Sequence, residues 1–150
     1  MTGRGLSGRG IQQLLNDNEI ELDHIHSEQY VYPTLADGIV CTSGAGDWGL
    51  TAGYTQIVPA TTIRDIFDIH EILIEDANTK DKTYQLNLYA TTNYTFIGSV
   101  RFNSGSTKGG IPSQVFMTPL IDADEPIFAK LAIEDGGSKT AKISVRYHTY

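Results

Sequence analysis

Asp68 and His70 stand two residues apart in the run IFDIHEILIED, and on an extended chain that spacing puts a carboxylate and an imidazole on one face. Such a pair could hold a metal if a third ligand arrived from elsewhere. Nothing nearby in the sequence completes the set, so the expected role is a hydrogen-bonded Asp and His on a polar face. His24 and His26 repeat the spacing beside Asp23, where a polar loop is expected ahead of a surface cation site. Asp122, Asp124 and Glu125 in DADEP look like a fragment of a calcium loop, without the glycine turn and the distant glutamate such a loop requires. Cys41 is the one cysteine, which excludes an internal disulfide framework and a cysteine-rich zinc site and leaves a small buried hydrophobe. No G-x-S-x-G, no phosphate-binding Gly-Lys-Ser/Thr loop and no Cys-His pairing at a useful distance is present. Two carboxylates could still meet across a fold, as in glycosidases. The expectation is a non-enzymatic chain with no catalytic residues, no metal ligands and no cofactor.

The elements that would position these side chains read as β-strands. Residues 83–91, TYQLNLYAT, alternate Tyr84, Leu86, Leu88 and Ala90 against Gln85, Asn87 and Tyr89. After Thr92 and Asn93, YTFIGSVRF lines up Tyr94, Phe96, Gly98, Val100 and Phe102, and the two runs form a hairpin. IFAKLAIE and TAKISVRYHTY each carry one apolar face, and Asp135-Gly136-Gly137 between them predicts a second hairpin. GDWGLTAGYTQIV reads as one long bent strand. IFDIHEILIED also fits a helical stripe through Ile63, Ile66, Phe67, His70 and Ile74, but its isoleucine density favours a strand. Weaker strands are expected near 30–35, 38–42 and 113–118, an exposed loop over 103–114, and a short helix over IQQLLNDN. About eight strands in one domain predict an all-β fold: an antiparallel two-sheet sandwich of jelly-roll type.

The chain's 150 residues suit one domain, divided here into an N-terminal arm and acidic lead-in over 1–29 and a sandwich over 30–150. The net charge of −7 is unevenly spread. Arg4 and Arg9 lie in the opening MTGRGLSGRG, which has no acid, while residues 10–63 hold no Lys or Arg against Asp17, Glu19, Glu21, Asp23, Glu28, Asp37 and Asp47. A nucleic-acid binder needs a basic face on its folded body, so nucleic acid is excluded as the main partner. No apolar run approaches the ~20 residues that span a bilayer, and the N-terminus lacks a signal-like apolar core. No membrane partner is expected, and the chain reads as intracellular when made. Tyrosines make up eight of the aromatic residues, a composition that suits wet, specific interfaces as well as sandwich strands.

The run DWGLTAGYTQIVPATTIRDIFDIHEILIED, followed by YQLNLYA, GSVRF and GGSKTAKISVRYHTY, resembles the small β-sandwich virion proteins of tailed bacteriophages over roughly residues 47–150. The resemblance implies a capsid decoration or cement protein bound to the major capsid protein or another shell protein of the virion. It also implies a homo-oligomer, a trimer first, and transfers no active site. Ordering the glycine-rich arm costs about 1–2 kcal/mol per residue of backbone entropy, so a partner must hold it. Arg4, Arg9, Tyr30, Tyr32 and Tyr150 are the expected partner-binding residues. The first rival is a carbohydrate- or receptor-binding module of a phage tail or fibre, and the second a sandwich hydrolase.

Overall fold

The computed structural model describes residues 29–106 and 111–150. The arm, the acidic lead-in and the short helix expected over 11–18 lie outside the described residues, as do Arg4, Arg9, His24 and His26. Nine strands are described: β1 (Gln29–Tyr32), β2 (Ile39–Thr42), β3 (Thr55–Val58), β4 (Phe67–Glu75), β5 (Thr83–Ala90), β6 (Thr95–Asn103), β7 (Ile111–Val115), β8 (Ile127–Ile133) and β9 (Thr140–Thr149). One 3-10 turn, Leu35–Asp37, separates β1 from β2.

The strands form two antiparallel sheets, one ordered β1-β9-β4-β7 with β2 also on β9, the other β3-β8-β5-β6. β1 pairs with Val145–His148 and β2 with Thr140–Ile143, so the two short strands share one edge of β9 in succession. This alternation of sequence-distant strands between two sheets is the jelly-roll arrangement expected from strand count and spacing. The core is the layer between the sheets. Ile69, Ile72, Ile143 and Val145 from one sheet face Leu86, Leu88, Ala129 and Leu131 from the other, all fully buried.

The β5–β6 hairpin forms as expected, but a bulge displaces its second half. Leu88 pairs with Gly98 and Tyr89 with Phe96, so Ile97 is the extra residue. Phe96 therefore leaves the inward face that strict alternation assigned to it and joins Tyr89 on the outside. Gly98 accepts this path with φ +152°, and the ring of Phe116 lies 2.9 Å from where a Cβ would stand.

The expected β8–β9 hairpin does not form, because the two strands belong to different sheets. Each has one apolar face, and those faces meet across the core instead of lying side by side. The 134–139 connection crosses between sheets and is laced to the 43–48 loop. The amide of Gly137 donates to Ala45 O (2.9 Å), that of Ser43 to Lys139 O (2.7 Å), and that of Trp48 to Ile133 O (2.8 Å). The long strand expected over 46–58 shortens to β3, because the chain turns between Gly44 and Gly49 (2.9 Å from Gly44 N to Gly49 O) and Trp48 adopts φ +53°.

Cys41 is buried in β2, and burial pushes its thiol up to about 12. At pH 8 the folded chain then holds only about 10⁻⁴ of this thiol as thiolate. Iodoacetamide is expected to label the folded protein roughly a thousandfold more slowly than the unfolded one. Equal rates, read by mass spectrometry, would show that β2 opens freely.

Candidate functional site

On β4, Phe67 and Ile69 turn into the core, and Asp68 and His70 turn away from it. A register shift between Ile69 and Glu71 then lets Ile72 and Ile74 point inward, with His70 and Glu71 both on the outer side. Across the strand pair, Asp68 lies opposite His148 of β9. Asp68 Oδ1 is 2.8 Å from His70 Nε2 and 3.8 Å from His148 Nδ1. Although they face away from the core, Asp68 is 8 % exposed and His148 0 %.

Tyr150 completes the surroundings. Its hydroxyl donates to Asp68 Oδ2 (2.9 Å), and its ring packs edge-on against the His148 ring at 4.3 Å. Next along the same strip, Arg146 Nε meets Glu71 Oε1 at 3.0 Å, and Ser113 Oγ donates to Glu71 Oε2 at 2.6 Å. A buried carboxylate is tolerable only with such partners. The third residue beside Asp68 and His70, sought nearby in the sequence, thus comes from the far strand β9.

The opposite outer face, that of β3-β8-β5-β6, has a different chemistry. Its four strands contain no Asp or Glu, and Lys130 and Arg101 are their only charged residues. Tyr54 stacks on Tyr94 (3.9 Å, 6°), meets Tyr89 edge-on (4.9 Å) and lies under the Lys130 ammonium (4.2 Å). Phe128 and Phe96 extend the cluster, packing against Tyr94 (4.8 Å) and Tyr89 (5.8 Å). From there a polar ladder runs along the sheet. Asn87 Nδ2 donates to Tyr89 Oη (3.3 Å), Gln85 Nε2 to Asn87 Oδ1 (3.1 Å), and Arg101 Nε to Gln85 Oε1 (3.0 Å). The Arg101 guanidinium also covers the Trp48 ring at 4.2 Å. Tyr54 is 38 % exposed and Phe96 56 %, so this is a continuous aromatic and cationic platform open to solvent.

The tyrosines expected to bind a partner separate into two places. Tyr30 and Tyr32 lie on β1 at the edge of β9, where Tyr30 packs against Tyr147 (5.5 Å). Burial raises the Tyr147 phenol above its ordinary value, and the neighbouring Tyr30 and Tyr32 hydroxyls add to this. Tyr150 is half exposed but turns its hydroxyl to Asp68. Asp124 of DADEP is held by Arg64 (2.7 Å) in a turn where Thr61 N donates to Asp124 O (2.9 Å). A shallow cavity of about 240 Å³ lies between the β5–β6 turn and Pro119–Asp122.

No protein-family model matches the chain, and no curated protein does. Among solved structures, it is similar to a structure of infectious bursal disease virus, Gx strain, at 13% identity and TM-score 0.42, covering 81% of this chain and 32% of that one. It is also similar to T=1 particles derived from a mutant VP2 protein of that virus (14%, TM-score 0.39, 81% and 32%). A third is the VP2 subviral particle of the same virus (13%, TM-score 0.36, 82% and 30%). The chain spans about a third of the length of these solved chains.

Proposed function

We propose that this chain is a non-enzymatic structural protein of a virion, a decoration or cement protein on the head of a tailed bacteriophage. It docks on the shell through the acid-free aromatic face of the β3-β8-β5-β6 sheet, with the N-terminal arm that carries Arg4 and Arg9 as an additional contact. The observation that carries the reading is that face. In a chain of net charge −7, one sheet collects half-exposed Tyr, Phe and Trp rings with Arg101 and Lys130 and no carboxylate. Tyr, Trp and Arg are the residues that dominate binding energy at protein interfaces. A surface of this sign fits an acidic neighbour, such as a shell protein or the acid-rich 10–63 region of a second copy. Repeated attachment over a particle multiplies weak contacts into strong adhesion.

Tyr54 is the centre of the platform, touching Tyr89, Tyr94, Phe128 and Lys130. Tyr54→Ala is expected to weaken binding to purified shells about 30-fold, equivalent to about 2 kcal/mol, with little change in melting temperature. Deleting residues 1–10 tests the arm in the same assay, by way of Arg4 and Arg9. Undiminished shell binding by both variants would remove the proposal.

The Gln85–Asn87–Tyr89 ladder beside exposed rings favours a second reading, a carbohydrate- or receptor-binding module. It would show as glycan binding by the isolated protein that is lost in Tyr54→Ala.

A further inference from the structure

We propose that Asp68, His70 and His148 bind a divalent transition-metal ion of the zinc class. Their three potential ligand atoms all lie within 4.8 Å of one another. Two imidazole nitrogens and one carboxylate oxygen suit zinc, cobalt or nickel, whereas calcium and magnesium take oxygen ligands. Zinc bonds of about 2.0–2.2 Å in a tetrahedron set neighbouring ligand atoms roughly 3.3 Å apart. Oδ1 of Asp68, at 2.8 Å from one imidazole and 3.8 Å from the other, brackets that value. The widest separation, at most 4.8 Å, exceeds it by about 1.5 Å, which side-chain rotation has to close.

The three candidate ligand atoms are held together in a buried place. Asp68 Oδ1 and His70 Nε2 face each other at 2.8 Å, and these two atoms and His148 Nδ1 are all shut off from solvent. Tyr150 Oη meanwhile holds Oδ2, which leaves Oδ1 as the coordinating oxygen, the arrangement by which outer groups orient metal ligands. All three ligands sit on the central strand pair of the sheet, where the backbone fixes their positions. An ion there would join β4 to β9 by side chains as well as by backbone.

The test uses the full chain, dialysed against chelator and titrated with zinc chloride by calorimetry and with cobalt chloride by visible absorption. The expected result is one ion per chain, a cobalt spectrum of low coordination number, and a melting temperature several degrees higher with zinc. His70→Gln and Asp68→Asn are each expected to lower affinity at least about 100-fold and to abolish the thermal shift, and Tyr150→Phe to lower affinity about 10-fold. Because His148 is fully buried, His70→Gln is the decisive variant, its folding checked by circular dichroism in chelator. A double His24→Ala, His26→Ala variant is expected to bind as the parent does. No saturable binding, binding unchanged in His70→Gln, or binding lost only with His24 and His26 would each overturn the proposal.

Discussion

Gly136→Ala is expected to destabilise the protein by about 3 kcal/mol or more. Gly136 has φ +68°, a conformation in which an L side chain already costs roughly 1–2 kcal/mol. An added Cβ would stand 2.3 Å from Ala45 O and 2.7 Å from Gly46 C, both backbone atoms. That backbone is not at liberty to withdraw. Gly137 N, Ser138 N and Lys139 N donate to Ala45 O (2.9 Å), Gly44 O (3.3 Å) and Ser43 Oγ (2.8 Å), so retreat breaks these hydrogen bonds together. Gly137 is the internal comparison, since its φ is +92° but its nearest contact is the flexible end of Lys139 at 3.4 Å. Gly137→Ala should therefore lose only about 1–2 kcal/mol. Urea midpoints of the two variants check the argument, and equal losses would show that the 43–48 loop yields.

Phe67→Ala carries an expectation of similar size, about 3–5 kcal/mol. Phe67 is fully buried where β4 begins, with Tyr147 edge-on to its ring at 5.9 Å. Its backbone exchanges both hydrogen bonds with Ile121 (3.0 and 2.7 Å) while β4 pairs it with Thr149. With both sides pinned, the space left by the ring cannot collapse, and the variant bears the cavity as well as the lost transfer energy. Val115→Ala and Met117→Ala, at strongly exposed positions, should stay within about 0.5 kcal/mol of the parent. A Phe67→Ala loss as small as theirs would mean that the sheets close over the gap.

Strand identity was legible wherever apolar residues alternate without interruption, as in β5, β8 and β9. It blurred at bulges. The helix-like stripe through Ile66, Phe67, His70 and Ile74 arises because the irregularity at Ile69–Glu71 shifts the inward phase from odd to even numbers, with Ile66 left exposed. A similar slip at Ile97 hid the outward Phe96 and with it the continuity of the aromatic platform. Alternation says which way a side chain faces but not which strand lies beside it. The glycine-rich turn after Ile133 invited a local hairpin, and with β9 assigned next to β8, His148 falls in the wrong sheet. Pairing β9 with β4 instead sets His148 directly across from Asp68. Asp68 and His70 were visible as neighbours in sequence, and the third member required knowledge of long-range register.

The place of β9 bears on how the protein can be made. Its partners β1, β2 and β4 all precede it in the chain, and the first sheet is assembled around it. During synthesis the β5–β6 hairpin can close as soon as it leaves the ribosome, whereas β1, β2 and β4 must wait with open edges until residue 149 has emerged. In a nascent chain that stops before that point, the strand edges that β9 would cover stay unpaired, the kind of exposure that invites pairing with another chain.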